Sequence, residues 1–463
     1  MPASRAILLV ERAGEAVKPR AIPSRLLANT VAVGILLSIG KLAGGAKTIA
    51  IARHFGTSDA MDAFLIALLP TSFVADLMAG SLTACLTPML VRAQGAEGME
   101  GARRLAGAAL SASLAMTLAG AGGLALGARG LVRLAGSSFP EAKLRLASGL
   151  LFMMLWWLPL SACIAAWRAV LNANQRFALA AIAPIASPLA CIAALYAGAD
   201  RWGVAVLCAG TGGGVAMECL ALGLAVRRLG YPLAPRWGAK GELRELWGQF
   251  FPLAASTAIS SGCAFIDQSV AGRLGSSQVS ALAYGNRLSA VLLQVAAAPI
   301  GVTIAPKLAQ LAASEDWRRL RRTVLGCCGA AIGLAAPLAM GLIGGSGAIV
   351  RAAFERGAFG AEAAGLVAHI QRFSLLQLPF AFPLAIATRL ASALSANILL
   401  ARVGLAALAL DAALDLAFSH WMGAAGIALA SAVVQLLSLA LLAALLQRRA
   451  PELFGRPQLK KER

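Results

Sequence analysis

Three basic residues, Lys41, Lys47 and Arg53, follow one another at intervals of six in a segment that is otherwise apolar from Val31 onwards. A cation in the hydrocarbon core of a bilayer is unfavourable by a few kcal/mol, so such a residue has to face protein or water. Arg287, in the motif YGNRL, lies inside a second apolar segment. Cations without local acidic partners favour a bound anion. Phosphate or pyrophosphate fits, because lysine offers a point charge and arginine a planar, bidentate donor.

A competing interpretation is snorkelling, in which a basic residue near a helix end reaches the headgroup region. It suits Arg53 better than Lys41, which lies deeper in the apolar segment. On a straight helix Lys41 and Lys47 point about 240° apart. Gly44 and Gly45 lie between them, and glycine pairs permit kinks. We therefore predict a break there that turns both lysines towards one cavity.

Acidic residues form a second group inside apolar segments. Asp267 lies in GCAFIDQSV, while Asp411 and Asp415 lie in LALDAALDLAF at the i, i+4 spacing of one helix face. Carboxylates held close together repel, and a bound cation or proton relieves that repulsion. A hard cation such as Na⁺ would take further oxygen ligands, and we predict the hydroxyl of Ser431 as one of them.

Two alternatives to a Na⁺ site stay open on the sequence alone. The acids can serve as a proton site, or they can pair with Arg389 or Arg402 as structural ion pairs. Apart from Na⁺ or H⁺ as a coupling ion, no cofactor is expected. The chain has only three histidines and shows no P-loop or Gly-rich nucleotide fingerprint, and no catalytic constellation is visible, so an enzyme is not predicted.

The composition dictates the kind of fold that must hold these groups. The chain has 463 residues, of which 59% are hydrophobic and 13% charged, with a mean hydropathy of +0.76. Apolar runs of about 20 residues recur along it, and each is long enough to span a bilayer as a helix. These features predict an all-α polytopic membrane protein. We place twelve spans at 27–52, 62–91, 104–128, 146–171, 177–199, 202–226, 244–271, 279–311, 322–346, 366–393, 396–418 and 423–447.

The net charge of +20 reflects basic connections on one side of the membrane. Under the positive-inside rule this places both termini in the cytoplasm, and no nucleic-acid partner is expected. The N-terminal segment mixes charges with only a short apolar patch, which predicts a cytoplasmic tail and not a secretory signal. A bacterial cytoplasmic (inner) membrane location follows from the resemblance described below.

An internal repeat divides the predicted spans into two sets of six. RHFGTSDAMDAF at 53–64 resembles RLGSSQVSALAY at 273–284, and LTPMLVRAQ at 86–94 resembles IAPKLAQLA at 304–312. Such repeats are a common transporter design, with the binding site at the repeat interface. We predict a cytoplasmic tail (1–26), an N-lobe (27–228), a cytoplasmic linker (229–243), a C-lobe (244–447) and a basic cytoplasmic tail (448–463).

Three motifs resemble the MurJ (MviN) lipid II flippases of the MOP exporter superfamily. They are ARHFGTSDAMDAF at 52–64, PIGVTIAPKLAQLA at 299–312 and AAFERGAFGAEAA at 352–364, the last of which contains an F-x-x-G-x-F element. The resemblance runs from about residue 27 to 447. It implies two six-helix lobes arranged as a V around a cationic central cavity that grips the pyrophosphate of a lipid-linked saccharide.

The resemblance also implies roles for particular residues. Lys41 and Lys47 stand where the family usually has cavity arginines, Asp62 matches the acid of its D-A-F element, and Arg287 matches a cavity arginine. Together with Arg53, these residues form the predicted pyrophosphate site. The family's sodium site implies the same acidic group as above, namely Asp267, Asp411, Asp415 and Ser431.

The sequence departs from the family pattern in three respects. Lysine replaces arginine twice, FVADL at 73–77 lacks an expected basic residue, and no apolar run follows the twelfth span where typical members have two more helices. The predicted function is flipping of an undecaprenyl-pyrophosphate-linked saccharide, lipid II or a relative, by cation-coupled alternating access. Alternatives are an exopolysaccharide or O-unit flippase, a MATE-like exporter and a non-transporting scaffold. Expected partners are the lipid-linked glycan, membrane lipids and glycan-synthesis enzymes.

Overall fold

The structure, a computed structural model, describes residues 24–236 and 240–449, and within these ranges it consists of helices and short turns with no strand. Backbone polar groups in hydrocarbon must be satisfied within the chain, and helices do this segment by segment. In the first half the helices are α1 (Ser24–Phe55), α2 (Asp59–Asp76), α3 (Thr83–Ala135), α4 (Glu141–Met154), α5 (Trp157–Ala173), α6 (Phe177–Ile182), α7 (Ala186–Trp202) and α8 (Ala205–Arg228).

The second half begins after an irregular segment and follows the same plan. Its helices are α9 (Lys240–Ala271), α10 (Gln278–Gly285), α11 (Arg287–Pro299), α12 (Ala305–Ala313), α13 (Trp317–Phe354), α14 (Ala361–Leu375), α15 (Leu378–Ala393), α16 (Asn397–Met422) and α17 (Ala424–Arg449). π-Helical segments join α2 to α3 (Leu77–Leu82) and α11 to α12 (Ile300–Ile304). We use "first half" for α1 to α8 and "second half" for α9 to α17.

All twelve predicted spans fall on helices. The length and composition of these helices do not establish that twelve of them cross the membrane. Among the described residues, seven helical segments are long and apolar enough to cross a membrane, or nine if two bent pairs each count as one span. One of the seven, Asp59–Ala135, is 77 residues long and holds two predicted spans. The chain breaks inside it at Gly98, whose φ of 69° is outside the helical range. Twelve spans therefore stay a prediction.

Matching irregularities support the internal repeat. The helix pair α4–α5 bends by 43° and the pair α14–α15 by 42°, and the two bends lie at corresponding places in the two halves. Gly203 and Gly423 both end a helix with a left-handed φ, 53° and 60°, and nearly the same ψ. Equal breaks in equal order are the structural counterpart of the sequence repeat.

The two halves share a buried hydrophobic cluster at the end of the molecule opposite the described chain ends, and α9 also packs on the first half nearer the chain ends. We call the end with the shared cluster the distal end; α1 finishes there and α17 starts there. This cluster contains residues of both halves, including Phe64 and Leu151 from the first and Leu282, Phe359 and Ile427 from the second. The Ser138 hydroxyl donates to the carbonyl of Gly272 at 2.7 Å across the same junction. The molecule is therefore closed at its distal end.

Gly56 shows how closely the distal turns approach one another. Its φ is +54°, and a Cβ atom there would lie 2.5 Å from the carbonyl oxygen of Ala358. A left-handed conformation and a contact of that kind both require glycine. The turn between α1 and α2 thus meets the turn after α13 through main-chain atoms.

Candidate functional site

Helix α1 carries Lys41 and Lys47, and it is continuous. It runs from Ser24 to Phe55 without the predicted break at Gly44–Gly45, so that prediction is wrong. The physical reason for Gly44 is space: a Cβ atom there would lie 3.0 Å from Nη2 of Arg287, while nothing lies within 4 Å of a Cβ at Gly45. Gly44 therefore lets the guanidinium of the opposite half lie against α1.

Lys41, Lys47 and Arg287 are brought to one region between the halves. The Lys41 ammonium donates to the side-chain carbonyl of Gln294 on α11. Lys47 is half-buried and lies one helical turn after Gly44, where the Arg287 guanidinium packs against α1. The Nε of Arg287 is buried without a hydrogen-bond partner. Lys47 and Arg287 are partly buried and Lys41 is exposed, and like charges held together in this way favour a bound anion.

No carboxylate supplies that anion within the described part of the chain. None lies within 4.0 Å of the three basic side chains, although other basic residues do form ion pairs. Gln294 was not predicted as a member of this site. It lies seven residues after Arg287, which is about two helical turns and therefore the same face, so helical spacing alone could have indicated it.

Arg53 lies outside this cationic group. It is at the distal end of α1, where its carbonyl accepts a hydrogen bond from the N–H of Ala358 at 2.9 Å and its side chain is exposed. Its guanidinium borders a different cavity, shared with Arg356. Helix α1 is unbroken and rises about 1.5 Å per residue, so Arg53 lies about 9 Å beyond Lys47 along the helix axis, at the distal turn.

Asp62 also lies apart from the cationic group, in a fully buried contact between the halves. Its carboxylate accepts from the N–H groups of Ser277 and Ser280 at 2.8 Å each, at the start of α10. The side-chain ammonium of Lys143 lies 2.9 Å from it and 2.6 Å from Asp59. A carboxylate at a helix N-terminus is favoured by free N–H groups and by the helix dipole. Asp62 thus joins the halves.

Lys143 lies between the predicted spans 104–128 and 146–171, and nothing in its local sequence indicates its burial. Its side chain is only 6% exposed, and its ammonium also lies 3.9 Å above the ring centre of Phe139. The partner carboxylates are more than 80 residues away in sequence. Only the fold brings these groups together.

The three acids of the predicted cation site, Asp267, Asp411 and Asp415, lie close together. One ligand oxygen from each of Asp267, Asp411 and Asp415 lies within 4.8 Å of the others. Four of the carboxylate oxygens are buried without a hydrogen-bond partner, including both of Asp415. Three carboxylates offering orphaned oxygens suit a hard cation such as Na⁺. The hydroxyl of Ser431 donates to the carbonyl of Ile427 at 3.3 Å.

The alternative in which these acids form structural ion pairs is wrong for the described residues. No lysine or arginine, including Arg389 and Arg402, lies within 4.0 Å of the three carboxylates. A structural ion pair does exist elsewhere, between Arg168 on α5 and Glu218 on α8. That pair explains Glu218, which has no partner nearby in sequence.

Comparison with known proteins identifies the family. Residues 51–460 match the family model described as "Lipid II flippase MurJ". The chain belongs to the MurJ family. It is 27% identical over 363 residues to the probable lipid II flippase MurJ of Rhizobium meliloti (strain 1021), covering 73% of this chain and 65% of that protein. It is also 27% identical over 371 residues to the probable lipid II flippase MurJ of Rhizobium tropici, covering 76% of this chain and 68% of that protein. This MurJ-family chain thus spans about two thirds of the length of these relatives.

Solved structures confirm the predicted fold class of a MurJ-family membrane protein. "Lipid II flippase MurJ, inward closed conformation" superposes with a TM-score of 0.79 at 18% identity, covering 90% of this chain and 87% of that one. An inward-facing MATE family multidrug transporter of the MOP superfamily gives 0.75 at 13% identity, with 93% and 100% covered. An outward-facing MATE structure gives 0.63 at 14% identity, with 92% and 96% covered.

Proposed function

We propose that this MurJ-family chain moves an undecaprenyl-pyrophosphate-linked saccharide, lipid II or a related lipid-linked glycan, across the bacterial cytoplasmic membrane by alternating access. The observation that carries the proposal is the group of Lys41, Lys47 and Arg287, which both halves contribute and which no carboxylate of residues 24–236 or 240–449 pairs with. In this proposal the two halves are the N-lobe and C-lobe, both termini are cytoplasmic, and the distal end faces outwards.

The basic residues have distinct parts in this proposal. Lys41 and Lys47 neutralise the pyrophosphate as point charges, while Arg287 adds directional N–H donors. Gln294 holds Lys41 in place when the site is empty and is free to bind a phosphate or sugar oxygen when the lysine turns to the substrate. The charge lies between the lobes, so it crosses the bilayer without entering hydrocarbon.

Alternating access requires the distal contacts to break and re-form. The polar part of that junction is the buried pair of Asp62 and Lys143, together with the hydrogen bonds that Asp62 accepts from two N–H groups of the second half. Binding of the pyrophosphate favours the conformation in which the cations surround it. Release of the substrate restores the second conformation of the alternating-access cycle. No chemical bond changes, so the proposed activity is transport and not catalysis.

A coupling cation is proposed for the group of Asp267, Asp411 and Asp415. Asp267 is on α9, and the other two are on α16. Helix α9 also packs along α3 and the adjoining π-segment of the first half, for example where Thr257 meets Ser81 at 3.2 Å. A Na⁺ ion or a proton at this site would therefore link α16 to the junction through α9.

A second candidate is a flippase for another lipid-linked glycan, such as an exopolysaccharide or O-unit precursor. The lysines at positions 41 and 47 favour it, because they replace cavity arginines of the family and lose bidentate geometry. A MATE-like exporter of cationic drugs is disfavoured by the basic site. Glycan-synthesis enzymes are proposed partners of either flippase.

The decisive experiment is complementation of a MurJ-depleted bacterial strain. Growth rescue by the wild-type chain supports lipid II as substrate. Failure despite verified membrane insertion favours the second glycan, which is then tested by flipping of a labelled exopolysaccharide precursor in proteoliposomes. A scaffold predicts no flipping of either lipid and no effect of removing the cations.

A further inference from the structure

We propose that Arg53 and Arg356 form a binding site for an anionic phospholipid at the distal end. The two arginines border a cavity of about 300 Å³ between α1, α7 and the turn that follows α13. Its walls are mainly apolar, with Ile49, Ile192 and Phe354 among them. The site is separate from the cationic group of Lys41, Lys47 and Arg287.

The two arginines are held in register by main-chain contacts. The carbonyl of Arg53 accepts from the N–H of Ala358, two residues after Arg356. Between them, a Cβ atom at Gly357 would lie 2.3 Å from that carbonyl oxygen and 3.0 Å from Cγ of Arg53, so only glycine fits there. The turn is therefore fixed directly on Arg53, and Arg356 is carried with it.

Both guanidinium groups lack a counter-charge. The two residues are exposed, and no carboxylate of a described residue lies within 4.0 Å of either, although Glu355 is adjacent in sequence. Two unpaired arginines suit a phosphate, which each can bind in bidentate fashion. The apolar wall next to them suits an acyl chain. A ligand with both features is a phospholipid, and basic pockets between membrane helices bind such headgroups.

The position of the site favours a phospholipid over the transported lipid. Arg53 lines a cavity bordered by α7 and the end of α13, whereas Lys41 contacts Gln294 on α11, so the two sites face different helices. Tyr196, which also lines the cavity, is 61% exposed, and Ile49 is 42% exposed. The cavity therefore opens to the outside of the helix bundle, where a bilayer lipid can enter.

The site is composite, because Arg53 belongs to the first half and Arg356 to the second. A phospholipid held by both would bind the distally closed conformation more tightly than the open one, and would shift the population towards closure. This consequence rests on the proposed alternating access. The binding site itself does not, so the two can be tested separately.

The binding test is native mass spectrometry of the full chain in detergent with phosphatidylglycerol or phosphatidylcholine. We expect preferential retention of phosphatidylglycerol, weakened about fivefold by each of Arg53→Gln and Arg356→Gln. The matched control is Arg201→Gln, which removes an exposed distal cation outside the cavity and should retain the lipid. Equal retention by the double variant and the wild type would overturn the proposal. It would also fall if undecaprenyl phosphate, and not phosphatidylglycerol, bound in an arginine-dependent way.

The conformational consequence is tested by hydrogen exchange of the same samples. Phosphatidylglycerol should slow exchange in the distal turns at 272–277 and 355–360 of the wild type and of Arg201→Gln, but not of the double variant. Unchanged exchange with proven arginine-dependent binding would remove the conformational effect and leave the site. If all of these arginine variants lost flipping, that result would concern the transport proposal and not the phospholipid site.

Discussion

Lys143 and Asp62 form a buried ion pair, 2.9 Å between Nζ and Oδ2, in which the lysine is 6% exposed and the aspartate not at all. Lys143 stands on α4 of the first half, and Asp62 receives two N–H groups from the second half. The lysine therefore supports a carboxylate that binds across the junction. The positive charge of Lys143 and the hydrogen bonds accepted by Asp62 together hold the distal end closed.

Replacement of Asp62 by asparagine should open the distal end. The change leaves Lys143 buried with only the exposed carboxylate of Asp59, and breaking a buried pair costs about 3–5 kcal/mol. Hydrogen exchange at 272–277 should rise. Asp59→Asn is the matched control, because Asp59 is 60% exposed and its pair is worth only about 0–1 kcal/mol. Equal effects of the two variants would contradict the role given to Asp62.

Removal of two cavity cations should abolish transport without unfolding the chain. In Lys41→Ala/Arg287→Ala the pyrophosphate loses two charged hydrogen-bonding groups, and flipping in proteoliposomes should fall by more than about 100-fold. Arg129→Ala, an exposed cation outside the site, is the control. Full activity of the double variant, with normal thermal stability, would exclude these residues as the substrate site.

A methyl group at Gly44 should impair transport, whereas one at Gly45 should not. The Cβ of Gly44→Ala would lie 3.0 Å from the Arg287 guanidinium and displace it, while that of Gly45→Ala meets nothing within 4 Å. Misplacing a substrate-binding group should cost about tenfold or more in flipping rate. The two variants share the same helix and the same chemical change. If they behave alike, the glycines act through backbone flexibility and the explanation by space is wrong.

Sodium should stabilise the wild-type chain through its acidic group. Thermal unfolding at constant ionic strength should shift to higher temperature when Na⁺ replaces K⁺, because a ligand of the native state stabilises it. Asp415→Asn should abolish the shift. The matched control Asp76→Asn changes an acid outside the group and should keep it. A stability that follows pH and ignores Na⁺ would identify H⁺ as the coupling ion instead.

Sequence patterns predicted the elements and some of the contacts, for identifiable reasons. Asp411 and Asp415 are one turn apart, and an i, i+4 spacing in a long apolar helix places two carboxylates on one face before any fold is known. Arg287 and Gln294 are seven residues apart on α11, a spacing that also places both side chains on one helix face. Hydropathy predicted the helices because membrane spans are long and nearly uniform.

The sequence could not show which residues far apart along the chain come into contact in the fold. Gly44–Gly45 has the same local pattern whether it kinks a helix or admits an arginine, and the choice depends on α11, more than 240 residues away in sequence. Lys143 looks like a loop residue because its carboxylate partners lie on another helix. Arg53 follows Lys47 at the same six-residue interval at which Lys47 follows Lys41, and only the fold shows that it borders a different cavity with Arg356.

The distal junction relies heavily on main-chain atoms: the Ala358 N–H bonded to the Arg53 carbonyl, the Ser277 and Ser280 N–H groups on Asp62, and the Gly272 carbonyl on Ser138. Every residue type but proline carries an amide N–H, so most substitutions in these turns preserve the bonds. Substitutions in these turns should therefore leave the closure intact, provided that the glycines are kept. Side-chain identity matters at Asp62, Lys143 and Ser138, whose polar groups make the other bonds of the junction.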